Sequence, residues 1–216
     1  MLINSTNGRP AYVFILACAL LIIGIATLSK SDEPASIQGK AIERVFFKVI
    51  NKGRLSISFF PSFKYDAKNS GGYGSFQMIA NNRARVHFSG PDIAIPPLQV
   101  VQGSNFARIE IQTKEMAGEI DFATGSIQLS FDAIFTPYMG KKKQTSISVV
   151  TLLTTETSKG KKKKLTGRRM NASGEALLVG VAIVPKTNDR YINAFLRLPT
   201  DAACELPVHF EFFPKK

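Results

Sequence analysis

The chain has 216 residues, a net charge of +12 and an apolar fraction of 44 %. That length suits one domain or at most two small ones and is enough to bury a core, and a charged fraction of 20 % is too low and too mixed for disorder throughout. Cys18 and Cys204 are the only cysteines, which excludes an intrachain disulfide beyond residue 28 and a cysteine-rich zinc site.

The first ten residues are short and polar, with Arg9 as the side-chain charge. From Ala11 to Leu28 run eighteen residues without a charge. As a helix this stretch spans about 27 Å, close to the roughly 30 Å of a bilayer's hydrocarbon core. It reads as a transmembrane signal anchor, with a cleaved signal peptide as the alternative because small residues flank Ile25 and Leu28. Ile15-Leu16-Ala17-Cys18 has the outline of a lipidation box, but the apolar residues that follow Cys18 replace the polar tether such a box needs. Arg9 before the span, against Asp32 and Glu33 just after Lys30, keeps the N-terminus cytoplasmic. The remainder is then periplasmic, lumenal or extracellular, and secreted if the apolar segment is removed.

Residues 29–40 form a polar linker, and residues 41–216 read as an extracytoplasmic β-domain. Sixteen phenylalanines without a tryptophan fit a strand-rich composition. Leu55, Ile57 and Phe59 alternate with serines, and Ala84, Val86 and Phe88 alternate with Arg83, Arg85 and His87. Ala107, Ile109 and Ile111 repeat the pattern, as do Val208, Phe210 and Phe212. Such period-two alternation marks antiparallel sheet with one face on a core. Arg44 to Ile50, Ser75 to Ala80, Ile147 to Leu153, Ala176 to Val184 and Tyr191 to Leu198 complete the expected strands. Turn residues recur between them. The expected fold is all-β: an antiparallel sandwich or barrel of roughly ten to twelve strands, preceded by one N-terminal transmembrane or signal helix.

The residues from Gly118 to Phe135 read as a hairpin. A two-residue turn at Thr124-Gly125 would pair Ile120 with Leu129 and set Glu119 diagonal to Asp132 across the two strands. Two carboxylates at about 7–8 Å fit glycoside hydrolysis, one as acid and one as base or nucleophile. Glu119 and Asp132 are therefore the candidate catalytic pair of an alternative reading as a carbohydrate-active hydrolase. Against it stands the ordinary role of such residues on the wet face of a hairpin.

His87 and His209 each fall on the polar face of a strand, and a metal site would need both on neighbouring strands. No nucleophile elbow, phosphate loop or dinucleotide fingerprint is present, so neither cofactor nor metal is expected. Cys204 reads as a small packing residue, and Asn171-Ala172-Ser173 fits a glycosylation acceptor.

Ten basic residues against the single acid Glu156 lie between Lys141 and Arg169. Lys141, Lys142 and Lys143 precede the strand expected over Thr145 to Thr155; Lys161, Lys162, Lys163 and Lys164 follow it, with Arg168 and Arg169 beyond. A straight strand would hold the two runs about 40 Å apart at opposite ends of the sheet. That separation and the absence of interleaved aromatics speak against a nucleic-acid groove. The nine cations are candidates for an anionic partner, a lipid surface or a surface polymer. The functional expectation is a non-catalytic membrane-anchored binding or assembly module, for an apolar ligand held inside the β-domain or for an anionic surface.

Overall fold

The alternation in the sequence is realised as antiparallel strands. The computed structural model describes residues 42–57, 63–66, 70–101 and 104–214; the expected anchor and linker lie outside them. In chain order the strands are β1 (Ile42–Val49), β2 (Lys52–Ile57), β3 (Phe63–Asp66), β4 (Gly71–Ala80), β5 (Arg83–Ser89), β6 (Leu98–Val101) and β7 (Ser104–Asp121). They continue as β8 (Ser126–Met139), β9 (Lys142–Lys143), β10 (Ile147–Thr154), β11 (Thr157–Lys159), β12 (Lys164–Thr166), β13 (Glu175–Val184) and β14 (Thr200–Pro214). Among the described residues twelve of these form one antiparallel sheet, and β11 and β12 form a separate pair. The described residues are all-β apart from a 3-10 turn at Gly90–Asp92 and one short helix, α1 (Arg190–Leu196).

The pairing runs β1-β4-β5-β7-β8-β10-β13-β14 and returns from β14 to β1, so the ladder forms a ring. β1 and β2 are one strand interrupted at Ile50-Asn51, where Asn51 takes a left-handed backbone (φ 62°). β1 runs along the C-terminal half of β14, and β2 along its N-terminal half. Beyond that break the neighbours change. β1 is flanked by β4, whereas β2 is flanked by β3; likewise β7 is flanked by β5 over Glu115–Asp121 and by β6 over its first residues.

Inward-facing side chains fill the two ends of the ring differently. One end is packed by Phe47, Phe76, Phe88, Ile120, Phe122 and Phe210, with Phe47 and Phe88 edge to face at 4.9 Å between ring centres. The buried phenylalanines Phe47, Phe76, Phe88, Phe122 and Phe210 thus take the place that tryptophans often occupy, each fully buried ring contributing about 1.5–3 kcal/mol. The other end is packed by aliphatic residues of β2, β7, β8, β10 and β13, and Ile192, Leu196 and Leu198 of α1 and its exit close it.

Tyr191 to Leu198, expected as a strand, is instead that helix. Asp189 caps it, its carboxylate accepting from the backbone N–H groups of Tyr191 and Ile192, and Arg197 ends it in the left-handed region. The apolar residues Ile192, Phe195 and Leu196 fit a helical spacing as well as a strand, and the Asp cap decides between them.

The β7–β8 hairpin also departs from the expected register. Its turn takes four residues, Phe122 to Gly125, so that Ile120 faces Ile127 and Gly118 faces Leu129. The shift is by two, which preserves the faces, and Ile120, Phe122, Ile127 and Leu129 all point into the core.

Candidate ligand-binding cavity

Phe131 and Cys204 pack against both the phenylalanine-rich end and the helix-capped end, and beside them the interior is not filled. On one wall β13 and β14 pair Gly180 with Cys204 and Ala182 with Ala202, all facing inward. These residues carry little side chain, and those of Met116, Phe135 and Val149, which line the same space, do not fill it. The result is a cavity of about 80 Å³ with almost wholly apolar walls. Two polar atoms on its lining, Ser70 Oγ and Thr151 Oγ1, are buried and have no hydrogen-bond partner among the described residues. Ser70 is 4 % exposed. A buried hydroxyl left unpaired costs about 1–3 kcal/mol, so such groups are seldom left so without a reason.

Cys204 shares this lining, and burial pushes its thiol up to about 12, with Glu205 adding to the rise and a backbone hydrogen bond at Gly180 opposing it. The thiol is therefore neutral and inert at ordinary pH. That agrees with its expected role as a packing residue.

The wall is interrupted at one place. β5 pairs with β7 as far as Ser89↔Glu115, and β6 takes up the pairing at Leu98↔Ile109. Glu110 to Lys114 therefore face the loop from Gly90 to Pro97 in place of a strand, and β7 carries a bulge between Thr113 and Glu115. Ile93, Ala94, Ile95 and Ile111 line the cavity on one side and an outer cleft on the other. The cleft is polar, and Glu110, Thr113, Lys114, Tyr138 and Lys143 stand on it. Arg108 lies 4.1 Å from the centre of the Tyr138 ring and forms an ion pair with Glu110 at 3.2 Å. Partial burial, then the hydrogen bond and charge of Glu110, hold the Tyr138 phenol above its ordinary value.

Glu119 and Asp132 are not brought together. Glu119 sits opposite Gln128 and forms ion pairs with Arg83 and Arg85, while Asp132 sits opposite Glu115 and 3.7 Å from Lys114. Four residues of β8 separate Gln128 from Asp132, about 13 Å of strand, which is beyond the spacing of a carboxylate pair in either glycosidase geometry. His87 lies 3.1 Å from Glu115 and His209 lies 3.6 Å from Glu211. Their strands, β5 and β14, are separated by β4 and β1. Among the described residues no group of three His, Cys, Asp or Glu side chains is placed to hold a metal ion.

The two lysine runs are not at opposite ends of a straight strand. β10 stops at Thr154 and the chain folds back as the β11–β12 hairpin. The backbone N–H groups of Lys161, Lys162 and Lys163 at its tip all donate to the carboxylate of Asp201, which is 4 % exposed. Asp201 faces Ile183, four residues beyond the Val179 that pairs with Thr154, so the tip lies back along β10 towards its start. Burial raises the Asp201 pKa, but the three N–H groups and the Lys163 charge outweigh it and hold the carboxyl below the usual range. Lys163 Nζ turns inward to Ser56 Oγ, and Lys161, Lys162 and Lys164 are exposed.

Lys141, Lys142 and Lys143 form the turn and short β9 beside Met139 and Tyr138. Arg168 bridges to Leu177 through the backbone, and Arg169 pairs with Glu156 at 2.8 Å. Asn171 is exposed, and its side-chain oxygen accepts from Ser173 and from the Glu175 N–H.

The cavity residues escaped the sequence reading. The signal for them was present in the small residues of two strands, Gly180 with Ala182 and Ala202 with Ala203, since glycine inside a strand marks a close approach or an open space. Asp201 gave no sequence signal, because its function depends on a hairpin tip 38 to 40 residues away. No protein-family model and no curated protein matches the chain, so its function is read from the cavity and its surroundings.

Proposed function

We propose that the β-domain is a binding module that holds a slim apolar chain inside its ring of strands, the ring acting as a small barrel. The observation that carries this reading is the apolar cavity between two separately packed ends, with the Ser70 and Thr151 hydroxyls unpartnered on its wall. A core under selection for stability alone would close such a space, because interiors pack to crystal-like density. A volume of about 80 Å³ is well below the roughly 300–1,000 Å³ of pockets that enclose drug-sized molecules. An occupant is therefore a short unbranched chain of a few carbons or the end of a longer one.

Tethering by the segment from Ala11 to Leu28 belongs to the same proposal. An uncharged stretch of that length supports an anchored, extracytoplasmic module working beside a source of lipid chains. Organic extraction of the natively purified full chain, followed by mass spectrometry, tests the binding reading. A chain-bearing lipid at near one equivalent is expected. A protein that yields none, and that takes up none when offered a range of lipids, would contradict it.

A further inference from the structure

We propose that the interruption in the wall at Glu110 to Lys114 is the portal of the cavity, and that it selects a single-chain amphiphile with an anionic head resting at Thr113 and Lys143. The inference rests on the interior being the binding site and adds the class of ligand and the place of its head group.

Three observations carry it. The first is continuity: Ile93, Ala94, Ile95 and Ile111 border both the apolar interior and the polar cleft outside, so a chain lying inward presents its other end to the cleft. The strand ladder does not obstruct that path, because β5 has ended and β6 has not begun. The loop across it, Gly90 to Pro97, is fastened by the Ala94 N–H to the Gly71 carbonyl at 3.1 Å, and by Gly90 packed close against the Thr113 and Lys114 carbonyls.

The second is a waiting hydrogen-bond donor. Thr113 is 6 % exposed, lies on the cleft and has no partner for Oγ1 among the described residues. A head-group oxygen at the portal would accept from it and remove the cost of an unpaired buried hydroxyl.

The third is charge. Glu110 is neutralised by Arg108 at 3.2 Å, and Lys114 has Asp132 at 3.7 Å. Lys143 lines the same cleft, is exposed and has no ion pair among the described residues, which leaves the mouth with one uncompensated positive charge. Apolar walls inside and a lone cation with a free hydroxyl outside match an amphiphile whose head is a carboxylate or phosphate. They do not match a neutral hydrocarbon.

The test uses the unaltered full chain. Hexanoate and hexanol, short enough to keep the head at the opening, are titrated at low salt and followed by the methyl NMR shifts of Met116 and Leu153. Hexanoate is expected to bind about fivefold or more tighter than hexanol, the effect of one lysine beside an anionic group. Lys143→Gln should remove most of that difference while leaving hexanol within twofold, and Thr113→Val should weaken both ligands. Equal binding of acid and alcohol, unmoved by Lys143→Gln but abolished by Ala182→Leu, would overturn the portal assignment and leave the cavity reading standing. Absence of binding by both would overturn the cavity reading and the portal with it.

Discussion

Replacing Ala182 with leucine should fill the cavity, and the sign of its effect on stability separates a hollow interior from a packed one. An unfilled cavity costs about 24 cal/mol per Å³ in core-truncation series, so about 80 Å³ corresponds to about 2 kcal/mol of forgone stability. Leucine at position 182 projects from β13 into that space, opposite Ala202, and recovers up to this amount less any rotamer strain. In a packed core the same enlargement would cost about 1–3 kcal/mol. Gly180, two residues away on the same face, provides a control of opposite sign. A methyl group there would lie 2.8 Å from Leu153 Cδ2 and 3.2 Å from Thr151 Oγ1, so Gly180→Ala should destabilise. Urea unfolding of ligand-free protein, followed by far-UV circular dichroism, gives both values from the midpoints at constant slope. A stability gain or no change for Ala182→Leu, with a loss for Gly180→Ala, is expected. A loss of about 2 kcal/mol or more for Ala182→Leu would show that the space does not exist and refute the reasoning.

The remaining predictions concern the structure around the cavity. Asp201→Ala should cost about 2–3 kcal/mol by leaving the N–H groups of Lys161, Lys162 and Lys163 unpaired; faster amide exchange at those three residues would report the released tip, and unchanged exchange would count against it. Because the folded-state pKa of Asp201 is lowered, its contribution is present above the unfolded value of about 3.9 and is lost as pH falls through the folded value. The acid limb of stability against pH should therefore be shallower in Asp201→Asn, and superimposable limbs would exclude that linkage. With its thiol pushed up to about 12, Cys204 should resist a thiol reagent at pH 8 in folded Cys18→Ser protein and react fully in urea. Rapid labelling of the folded protein would place the thiol outside the cavity. Asp189→Ala should lower stability by about 0.5–2 kcal/mol through loss of the α1 cap, a value that chemical denaturation reads directly.

The β-character was legible in the sequence wherever one face meets water and the other the core. The alternation over Arg83–Ser89 predicted inward Ala84, Val86 and Phe88, and all three are fully buried. The hairpin at Glu119 and Asp132 shows the limit of such reading. Alternation fixes which face a residue takes but not its register along the partner strand, so a four-residue turn moved the carboxylates apart without moving any core residue to the surface. The lysine runs failed for a related reason. Reading them along one straight strand ignored the reversal after Thr154, which depends on a buried aspartate far along the chain. The cavity was legible only as the small residues Gly180, Ala182, Ala202 and Ala203, because it is defined by atoms that are missing between walls formed by eight different strands. Of the nine cations expected to meet an anionic partner, Lys143 is the one that lines the cleft outside the cavity.

The central claim is that a chain binds inside the ring and not on the surface, and methyl NMR of the full chain tests it most directly. With Ile, Leu, Val and Met methyls labelled, a saturating amount of hexanoate is expected to shift Met116, Val149, Leu153 and Leu178 and to give contacts from those methyls to the bound chain. Shifts confined to the exposed Val150, Leu152 and Ile183, with the interior methyls unmoved, would contradict it.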